Sequence, residues 1–285
     1  MKTTRRKFLQ FTGTAAGASL LLGPNNAFGS IAKKDNSQQY AMLNDTTRCI
    51  GCQACEVACA EQSGFPSSDT KPEADNQRST GTEALSVVNA HATDKGIVFA
   101  KTQCMHCDQP ACVSACLVNA MYKTDEGPVI WKEDKCMGCR YCMVACPFDV
   151  PKFEYGSLNP KIRKCVMCFE RLGEGQIPAC AAACPQEAIL FGKREELLDI
   201  ARKRISDNPS EYVRHIYGEH EVGGTNILYL SGVPFDQLGF RTDLGTIPYP
   251  EYTKTFLYSV PLALLLGPAF MLGLRQATKG KDDKD

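Results

Sequence analysis

Sixteen cysteines constrain this chain more than any other feature, because all of them lie between Cys49 and Cys184 of a 285-residue sequence. They fall into four groups of four. In chain order the groups are Cys49, Cys52, Cys55 and Cys59; Cys104, Cys107, Cys112 and Cys116; Cys136, Cys139, Cys142 and Cys146; and Cys165, Cys168, Cys180 and Cys184. The first and third groups share the spacing C-x2-C-x2-C-x3-C, whereas the second and fourth widen the middle gap.

This spacing is typical of bacterial ferredoxins. Three thiolates converge on one [4Fe-4S] cluster from a tight loop whose peptide N–H groups point at the sulfides, and the fourth thiolate serves the neighbouring cluster. Pro147 and Pro185 close the third and fourth groups. Each group is therefore half of a pair, and the sequence predicts four [4Fe-4S] clusters in two pairs.

Other cysteine chemistries fit the pattern less well. A single C-x2-C also suits zinc or a redox dithiol, and no C-x-x-C-H occurs, which excludes c-type haem. Exported proteins often form disulfides, but cysteines separated by two residues are poorly placed to bridge each other. Four all-thiolate zinc sites are chemically possible, although the close triple spacing crowds zinc and suits a cube.

The N-terminus reads as an export signal. Arg5 and Arg6 form a twin-arginine pair, followed by Phe8, Leu9 and a weakly apolar run over residues 11–22. We interpret residues 1–29 as a Tat signal, with a candidate cleavage position before Ser30. The Tat route exports folded protein, which suits a cofactor inserted in the cytoplasm.

A candidate membrane-spanning segment lies near the C-terminus. Residues 255–274 are uncharged and long enough to span a bilayer, for which about 20 residues suffice. Pro261 and Pro268 would kink such a helix, which is tolerated beside an integral membrane partner. Basic residues follow the span, namely Arg275, Lys279, Lys281 and Lys284. The positive-inside rule then places residues 275–285 in the cytoplasm and the cysteine-rich body in the periplasm.

The remaining segments predict an α+β protein of two ferredoxin-like two-cluster units, one nested within the other. The predicted segments are the first half of the outer unit at 40–100, the nested unit at 101–159, the second half of the outer unit at 160–192 and a C-terminal extension at 193–254. Residues 66–96 form a polar insertion, expected to be a surface loop or, alternatively, a docking loop for a catalytic partner. We expect strands at 129–131, 189–191 and 226–231, a helix at 194–205, and short helices after the last cysteine of each group.

A few other side chains could have a functional role near the clusters. His106 lies between two cysteines, but its group already has four thiolates, so we interpret it as a loop histidine. Trp131 is expected in the core. Four basic residues could raise nearby cluster potentials or form a solvated face, namely Arg140, Lys161, Arg163 and Lys164.

The chain resembles the four-cluster iron-sulfur subunits of membrane-bound respiratory oxidoreductases. Three stretches carry the resemblance: Cys-Met-His-Cys at 104–107, Cys-Arg-Tyr-Cys-Met-Val-Ala-Cys-Pro-Phe-Asp-Val-Pro-Lys at 139–152, and Val-Gly-Gly-Thr at 222–225. That family includes subunits of periplasmic [NiFe]-hydrogenase of the hydrogenase-2 type and the beta subunit of formate dehydrogenase.

The resemblance implies how the cysteines share the clusters. The implied ligand sets are Cys49, Cys52, Cys55 and Cys184; Cys59, Cys165, Cys168 and Cys180; Cys104, Cys107, Cys112 and Cys146; and Cys116, Cys136, Cys139 and Cys142. We call these the first, second, third and fourth thiol sets. Cys59 and Cys116 lack the proline that follows the last cysteine of the other groups.

The resemblance also implies a function. The chain would conduct electrons between a periplasmic catalytic subunit and a quinone-reactive membrane subunit, without an active site of its own. Its own twin-arginine signal favours hydrogenase over formate dehydrogenase as the partner. The sequence contains no GxGxxG, Walker loop or serine elbow, the candidate span argues against a soluble ferredoxin, and the zero net charge does not suggest nucleic acid.

Overall fold

The computed structural model describes residues 36–67 and 70–278. The predicted signal at 1–29 and the tail residues from 279 onward lie outside the described residues. Two compact units are present. One comprises residues 36–251, and the other, among the described residues, holds 252–278.

Nine short strands and seven helices account for the regular structure of the described residues. The strands are β1 (Tyr40–Asp45), β2 (Val87–Thr93), β3 (Gly96–Thr102), β4 (Met121–Lys123), β5 (Val129–Trp131), β6 (Lys152–Phe153), β7 (Ile162–Arg163), β8 (Ile189–Lys193) and β9 (Ile227–Leu230). The helices are α1 (Ala54–Ser63), α2 (Ala111–Ser114), α3 (Tyr141–Val144), α4 (Phe169–Gly173), α5 (Ala179–Ala182), α6 (Arg194–Asp207) and α7 (Tyr249–Thr278). Three 3-10 turns occupy Glu133–Lys135, Glu221–Gly223 and Phe235–Leu238.

The central sheet has β1 between two partners, in the order β8-β1-β9. β1 pairs antiparallel with β8 and parallel with β9, so that Met42 lies opposite both Phe191 and Ile227. β1 precedes the first cysteine group and β8 follows the fourth. The sheet therefore joins the two ends of the cysteine-rich segment.

Alternate residues of a strand point to opposite sides of a sheet, and here both sides are buried. Ala41 and Leu43 pack on one face with Leu197 and Leu198 of α6. Met42 packs on the other face in a core that includes Cys55. Each fully buried aliphatic side chain stabilises the fold by about 1.5–3 kcal/mol. The predicted helix at 194–205 and the strands near 189 and 227 are confirmed.

Two small hairpins follow the same logic around the middle cysteine groups. β4 pairs with β5 through Met121 opposite Trp131, and β6 pairs with β7 through Phe153 opposite Ile162. The predicted strand at 129–131 is confirmed residue for residue. Met121, Val129 and Ile162 share one small core with cysteines of the second and third groups.

The polar insertion differs from the surface loop that we expected. Its last part forms β2, which pairs along its whole length with β3. Val87, Val88 and Ala90 are buried. Polar residues at 66–84 dominate the composition of the insertion, so its short apolar strand was not predicted. Arg78 fastens the earlier part through Nη1 and Nη2, which donate to Glu56 of α1 at 3.0 and 2.6 Å.

The short helices also lie earlier than we expected. α1, α2, α3 and α5 each begin just before the third cysteine of a group, and none starts after the fourth. Pro110 and Pro178 precede α2 and α5, where a proline leads naturally into a helix. The helical turn therefore spaces the third and fourth cysteines within each group.

The predicted span belongs to a longer helix than we expected. α7 contains 30 residues, with Pro261 and Pro268 inside it, and none of them is buried. It is long and apolar enough to cross a membrane.

Candidate iron-sulfur sites

Each cysteine group forms a loop with left-handed backbone residues. Positive φ angles occur at Gln53 (61°), His106 (47°), Arg140 (62°) and Met167 (55°), each within two residues of a cysteine. Alternation of right- and left-handed residues turns successive peptide N–H groups toward one point and makes an anion-binding nest. Such loops suit a negatively charged cluster with its thiolates.

A second turn recurs after the fourth cysteine of three groups. Asn119, Asp149 and Glu187 have positive φ, and their N–H groups donate to the carbonyl oxygens of Cys116, Cys146 and Cys184 at 3.3, 3.2 and 3.3 Å. The first group differs, because α1 continues past Cys59 and ends at Ser63. The repeated turn shows a common local design in three of the four groups.

Peptide N–H groups reach the thiols directly. Ala120 and Met121 donate to the Cys116 Sγ at 3.1 and 3.4 Å, and Met167 donates to the Cys165 Sγ at 3.4 Å. Hydrogen bonds of this kind stabilise negative charge on sulfur, so they favour the ligating thiolate and a reduced cluster.

The first thiol set comes together although Cys184 is far from the others in sequence. Cys49, Cys52, Cys55 and Cys184 line one small cavity. Burial raises the pKa of Cys49, and the charges of Cys184 and Cys52 add to the effect. Burial also raises the pKa of Cys55 to about 12.

The second thiol set joins Cys59 to the fourth cysteine group. Burial raises the pKa of Cys168, and Cys180 and Cys59 are the thiols that raise it further. The pKa of Cys165 is raised by burial first and then by Cys59.

The third thiol set gathers around Cys107, which is partly buried. Burial raises the pKa of Cys107 well above its ordinary value, and Cys104, Cys146 and Cys112 raise it further. The pKa of Cys112 rises to about 12 because of burial, with Cys104 as the strongest neighbouring thiol.

The fourth thiol set lines a second small cavity, with Cys116, Cys136, Cys139 and Cys142 in its wall. Burial raises the pKa of Cys142 to about 11, and the other three thiols are the next causes. Cys139 is exposed, as is Cys52 of the first set.

Three thiol pairs connect one set to the next. Cys55 of the first set is an electrostatic neighbour of Cys180 of the second, and Cys165 of the second is one of Cys104 of the third. Cys112 of the third is likewise a neighbour of Cys142 of the fourth. These pairs connect the sets in the order first, second, third and fourth, and the two thiols of each pair also pack in one buried core. The exposed Cys52 and Cys139 belong to the first and fourth sets.

The donor chemistry fits iron-sulfur clusters. All sixteen cysteines are free, and the first and fourth sets surround cavities. Among the described residues, no three Cys, His, Asp or Glu side chains converge closely enough for a single metal ion. A [4Fe-4S] cube instead binds each thiolate at a different iron, which places the sulfurs around it.

The four basic residues named from the sequence divide into two kinds. Lys164 is only 4% exposed, so a solvated face is the wrong interpretation for it. Its Nζ donates to the carbonyl oxygens of Val129 and Cys165. The other three are less buried. Lys161 and Arg163 form ion pairs with glutamates, and Arg140 lies over aromatic rings.

His106 and Trp131 have more specific positions than we expected. His106 lies in a loop but is fully buried, and its Nδ1 accepts a hydrogen bond from the Val129 N–H at 2.9 Å. Burial and then Lys164 lower the pKa of His106 well below its ordinary value. Trp131 is half-buried and lines the cavity of the fourth thiol set, with a buried Nε1 that has no partner among the described residues.

Sequence reasoning missed two residues in the cavity of the first thiol set. Asn44 and Lys101 line it, and both are buried at 4% exposure. Neither amide atom of the Asn44 side chain has a hydrogen-bond partner in the described part of the chain. The signal for Lys101 is a lysine directly after the apolar run Ile-Val-Phe-Ala at 97–100.

The chain is similar in sequence to known proteins. The 4Fe-4S dicluster domain family matches residues 96–194. A protein of Nitratidesulfovibrio vulgaris strain Hildenborough is 43% identical over 98% of this chain and 78% of its own length. The hydrogenase-2 operon protein HybA of Escherichia coli O157:H7 is 34% identical over 99% of both chains. The nitrate-inducible formate dehydrogenase iron-sulfur subunit of Escherichia coli K12 is 32% identical over 69% of both.

Loops of buried thiols with peptide N–H groups directed at sulfur define an iron-sulfur electron-transfer protein. The chain belongs to the family of iron-sulfur subunits that includes hydrogenase-2 operon protein HybA and the formate dehydrogenase iron-sulfur subunits. The resemblance noted in the sequence is confirmed.

Proposed function

We propose that the chain conducts electrons in single file through four [4Fe-4S] clusters, one on each thiol set. The observation that carries this proposal is the line of neighbouring thiols, Cys55 with Cys180, Cys165 with Cys104, and Cys112 with Cys142. Electrons tunnel efficiently only between closely spaced centres. A linear order of four sets supports a conductor with one entrance and one exit.

The ligands of the four clusters are the four thiol sets defined above. Cys184 completes the first set, Cys59 the second, Cys146 the third and Cys116 the fourth. Each of these is the fourth cysteine of its own group, so the proposal exchanges one thiolate between paired groups. Two nested units result, an outer one from residues 40–100 and 160–192 and an inner one from 101–159. The pairing of β1 with β8 supports the outer unit.

The residues of this chain would tune and protect the clusters rather than make or break bonds. A bound cluster accepts and releases one electron at a time. Peptide N–H groups such as those of Ala120 and Met167 stabilise negative charge on sulfur. Burial of Cys112 and Cys165 keeps water and oxidants away from the two inner sites.

The exposed cysteines of the first and fourth sets support two places at which electrons enter and leave the chain. Cys52 of the first set and Cys139 of the fourth lie at the surface. We propose that one end receives electrons from a catalytic subunit and the other delivers them to an integral membrane subunit that reduces quinone. The direction follows the substrate, with hydrogen oxidation as the primary candidate.

The catalytic partner is proposed to be a [NiFe]-hydrogenase. HybA, a hydrogenase-2 operon protein, aligns with 99% of this chain, whereas the formate dehydrogenase subunit aligns with 69%. The twin-arginine pair at Arg5 and Arg6 favours the same choice. A formate dehydrogenase or a related molybdopterin oxidoreductase is the second candidate, supported by the 32% identity to its iron-sulfur subunit.

The proposed location is the periplasmic face of the cytoplasmic membrane. Export by the Tat route would follow from residues 1–29, and α7 would anchor the chain with its tail in the cytoplasm. Cysteine labelling with a membrane-impermeant reagent tests the orientation. A cysteine introduced at Ser210, in an exposed turn, should react in intact spheroplasts, whereas reaction only after lysis would reverse the proposed topology.

The central test isolates the membrane complex anaerobically through a tag on this chain and adds either hydrogen or formate. Bleaching of the broad iron-sulfur absorbance by hydrogen supports both the clusters and the hydrogenase partner. Bleaching by formate alone would show that the catalytic partner is a formate dehydrogenase instead. A complex with intact thiols but without that absorbance would contradict the proposal.

A further inference from the structure

Lys101 holds a cation inside the protein, near the end of β3. Its side chain is 4% exposed. The Nζ donates to the Gln103 Oε1, and the Lys101 carbonyl oxygen accepts a hydrogen bond from the Tyr229 hydroxyl at 2.8 Å. These bonds fix the residue at both its backbone and its amine, so its charge has a defined position.

No carboxylate among residues 36–67 and 70–278 forms an ion pair with this amine. A buried ammonium without a counter-charge costs several kcal/mol, and proteins normally pair it or neutralise it. Gln103 supplies an acceptor but no charge. The position therefore requires negative charge from another source.

Cluster-bound thiolates would be that source, because free thiols whose pKa is raised by burial stay neutral. The strongest electrostatic neighbours of Lys101 are Cys180, Cys55, Cys165 and Cys59, and the amine also lines the cavity of the first thiol set. Burial alone would lower the pKa of Lys101, but these neighbours reverse the effect and raise the pKa. Lys101 thus lies where the first and second thiol sets meet.

We propose that Lys101 is the internal counter-cation of the first and second clusters and raises the reduction potential of both. This inference rests on the proposed function. A cluster with four thiolates is negative and gains further negative charge on reduction, so a fixed cation stabilises the reduced form more than the oxidised one. The charge would make this pair of clusters the preferred location for electrons in the line.

Lys164 offers a matched comparison at another site. It is equally buried, and its charge acts on Cys112 and Cys146 of the third thiol set. Methionine replaces either lysine with an apolar side chain of similar length. The two variants therefore remove one charge each from different parts of the same conductor.

The test is a redox titration of the isolated complex, followed by electron paramagnetic resonance, for wild type, Lys101→Met, Lys164→Met and Lys101→Arg. In Lys101→Met, two of the four cluster signals should show a fall of at least about tenfold in the reduced-to-oxidised ratio at fixed potential, which corresponds to 59 mV for one electron. Lys164→Met should shift a different signal, and Lys101→Arg should stay near wild type.

The outcomes separate this inference from the proposed function. A wild-type complex without cluster signals refutes the proposed function itself. Four wild-type signals that stay unchanged in Lys101→Met, or that all shift equally, overturn the role of Lys101. An alternative outcome is that Lys101→Met loses two clusters altogether. Retention of all four clusters in Lys101→Arg would then show that the site needs a positive charge. Loss of clusters in both variants would show that the site needs the shape of lysine, which would overturn the inference.

Discussion

The Cys165 thiol is an electrostatic neighbour of the Cys104 thiol, although the two belong to different thiol sets. The pKa of Cys165 is raised above its ordinary value by burial first and by surrounding thiols that include Cys59 and Cys104. This relationship joins the second and third sets. In the proposed conductor, every electron that travels from one end to the other crosses this junction.

Loss of one ligand should interrupt the conductor without dismantling it. Cys142→Ala removes a buried ligand of the fourth set and should cost that one cluster, while the other three clusters remain. Quinone reduction should fall at least about tenfold because the series is broken. Iron content, electron paramagnetic resonance and quinone assays measure the three effects.

Val144→Ala is the control for this variant, because Val144 lies two residues away and is 84% exposed. It should retain all clusters and the wild-type rate. Quinone reduction at the wild-type rate by Cys142→Ala would contradict conduction in series.

Cluster insertion should become more favourable as pH rises. Burial raises the pKa of Cys112 to about 12 and that of Cys142 to about 11, so these thiols keep their protons at neutral pH in the cluster-free chain. Iron binds the thiolate, and each ligand must therefore release a proton. Anaerobic reconstitution of the cluster-free complex should be more complete at about pH 8.5 than at about pH 6.5.

Absorbance of the reconstituted clusters and the protons released into a weakly buffered solution measure this linkage. Cys142→Ala should release fewer protons than wild type. Reconstitution that is independent of pH, or better in acid, would show that these thiols are already ionised.

The indole of Trp131 should tune the fourth cluster. Its buried Nε1 lacks a partner among the described residues, and Trp131 is one of the residues that line the cavity of the fourth set. An unmade hydrogen bond at a buried donor costs about 1–3 kcal/mol, which a cluster sulfur would relieve. Trp131→Phe should lower the potential of one cluster, as followed by redox titration.

Tyr141→Phe changes an exposed side chain beside the same loop and serves as its control. The potentials of this variant should match those of wild type. An unchanged titration in Trp131→Phe would mean that the indole N–H has no bond to the cluster.

The ion pair between Arg78 and Glu56 should hold the polar insertion on the body. Arg78 also donates to the Val88 carbonyl oxygen at 2.6 Å, and Glu56 accepts the Val88 N–H. Breaking a buried pair typically costs about 3–5 kcal/mol, because the remaining charge stays buried. Arg78→Met should therefore open residues 66–96 to limited proteolysis.

Lys71→Met removes a charge from an exposed position of the same insertion, and its cleavage rate should equal that of wild type. If Arg78→Met resists the protease as well as wild type does, the ion pair contributes little to the attachment of the insertion.

The sequence predicted the parts of the structure that depend on local spacing. The strand at 129–131, the helix that begins at Arg194 and the helix that contains residues 255–274 follow from apolar periodicity and length. The cysteine groups were visible for the same reason. The proposed exchange of Cys59 and Cys184 between paired groups rests on family resemblance, because spacing alone does not show which loops meet.

Features that depend on distant contacts were not predictable. Lys101 looked like an ordinary strand lysine, and Lys164 like part of a basic face, because their burial depends on elements far away in the sequence. The strand β2 was hidden in a polar segment whose apolar partner, β3, crosses the predicted boundary after residue 100. Each of these residues becomes significant only when the chain has closed around its thiols.

The most direct test of the account is the cluster content of the purified, anaerobic complex, measured as iron and acid-labile sulfide per copy of this chain, after subtraction of the metal in its partner subunits. The account predicts one iron and one sulfide for every cysteine of the four thiol sets, with no thiol open to alkylation before the clusters are destroyed. Zinc in place of iron, or freely alkylated thiols in any set, would contradict a conductor of four [4Fe-4S] clusters.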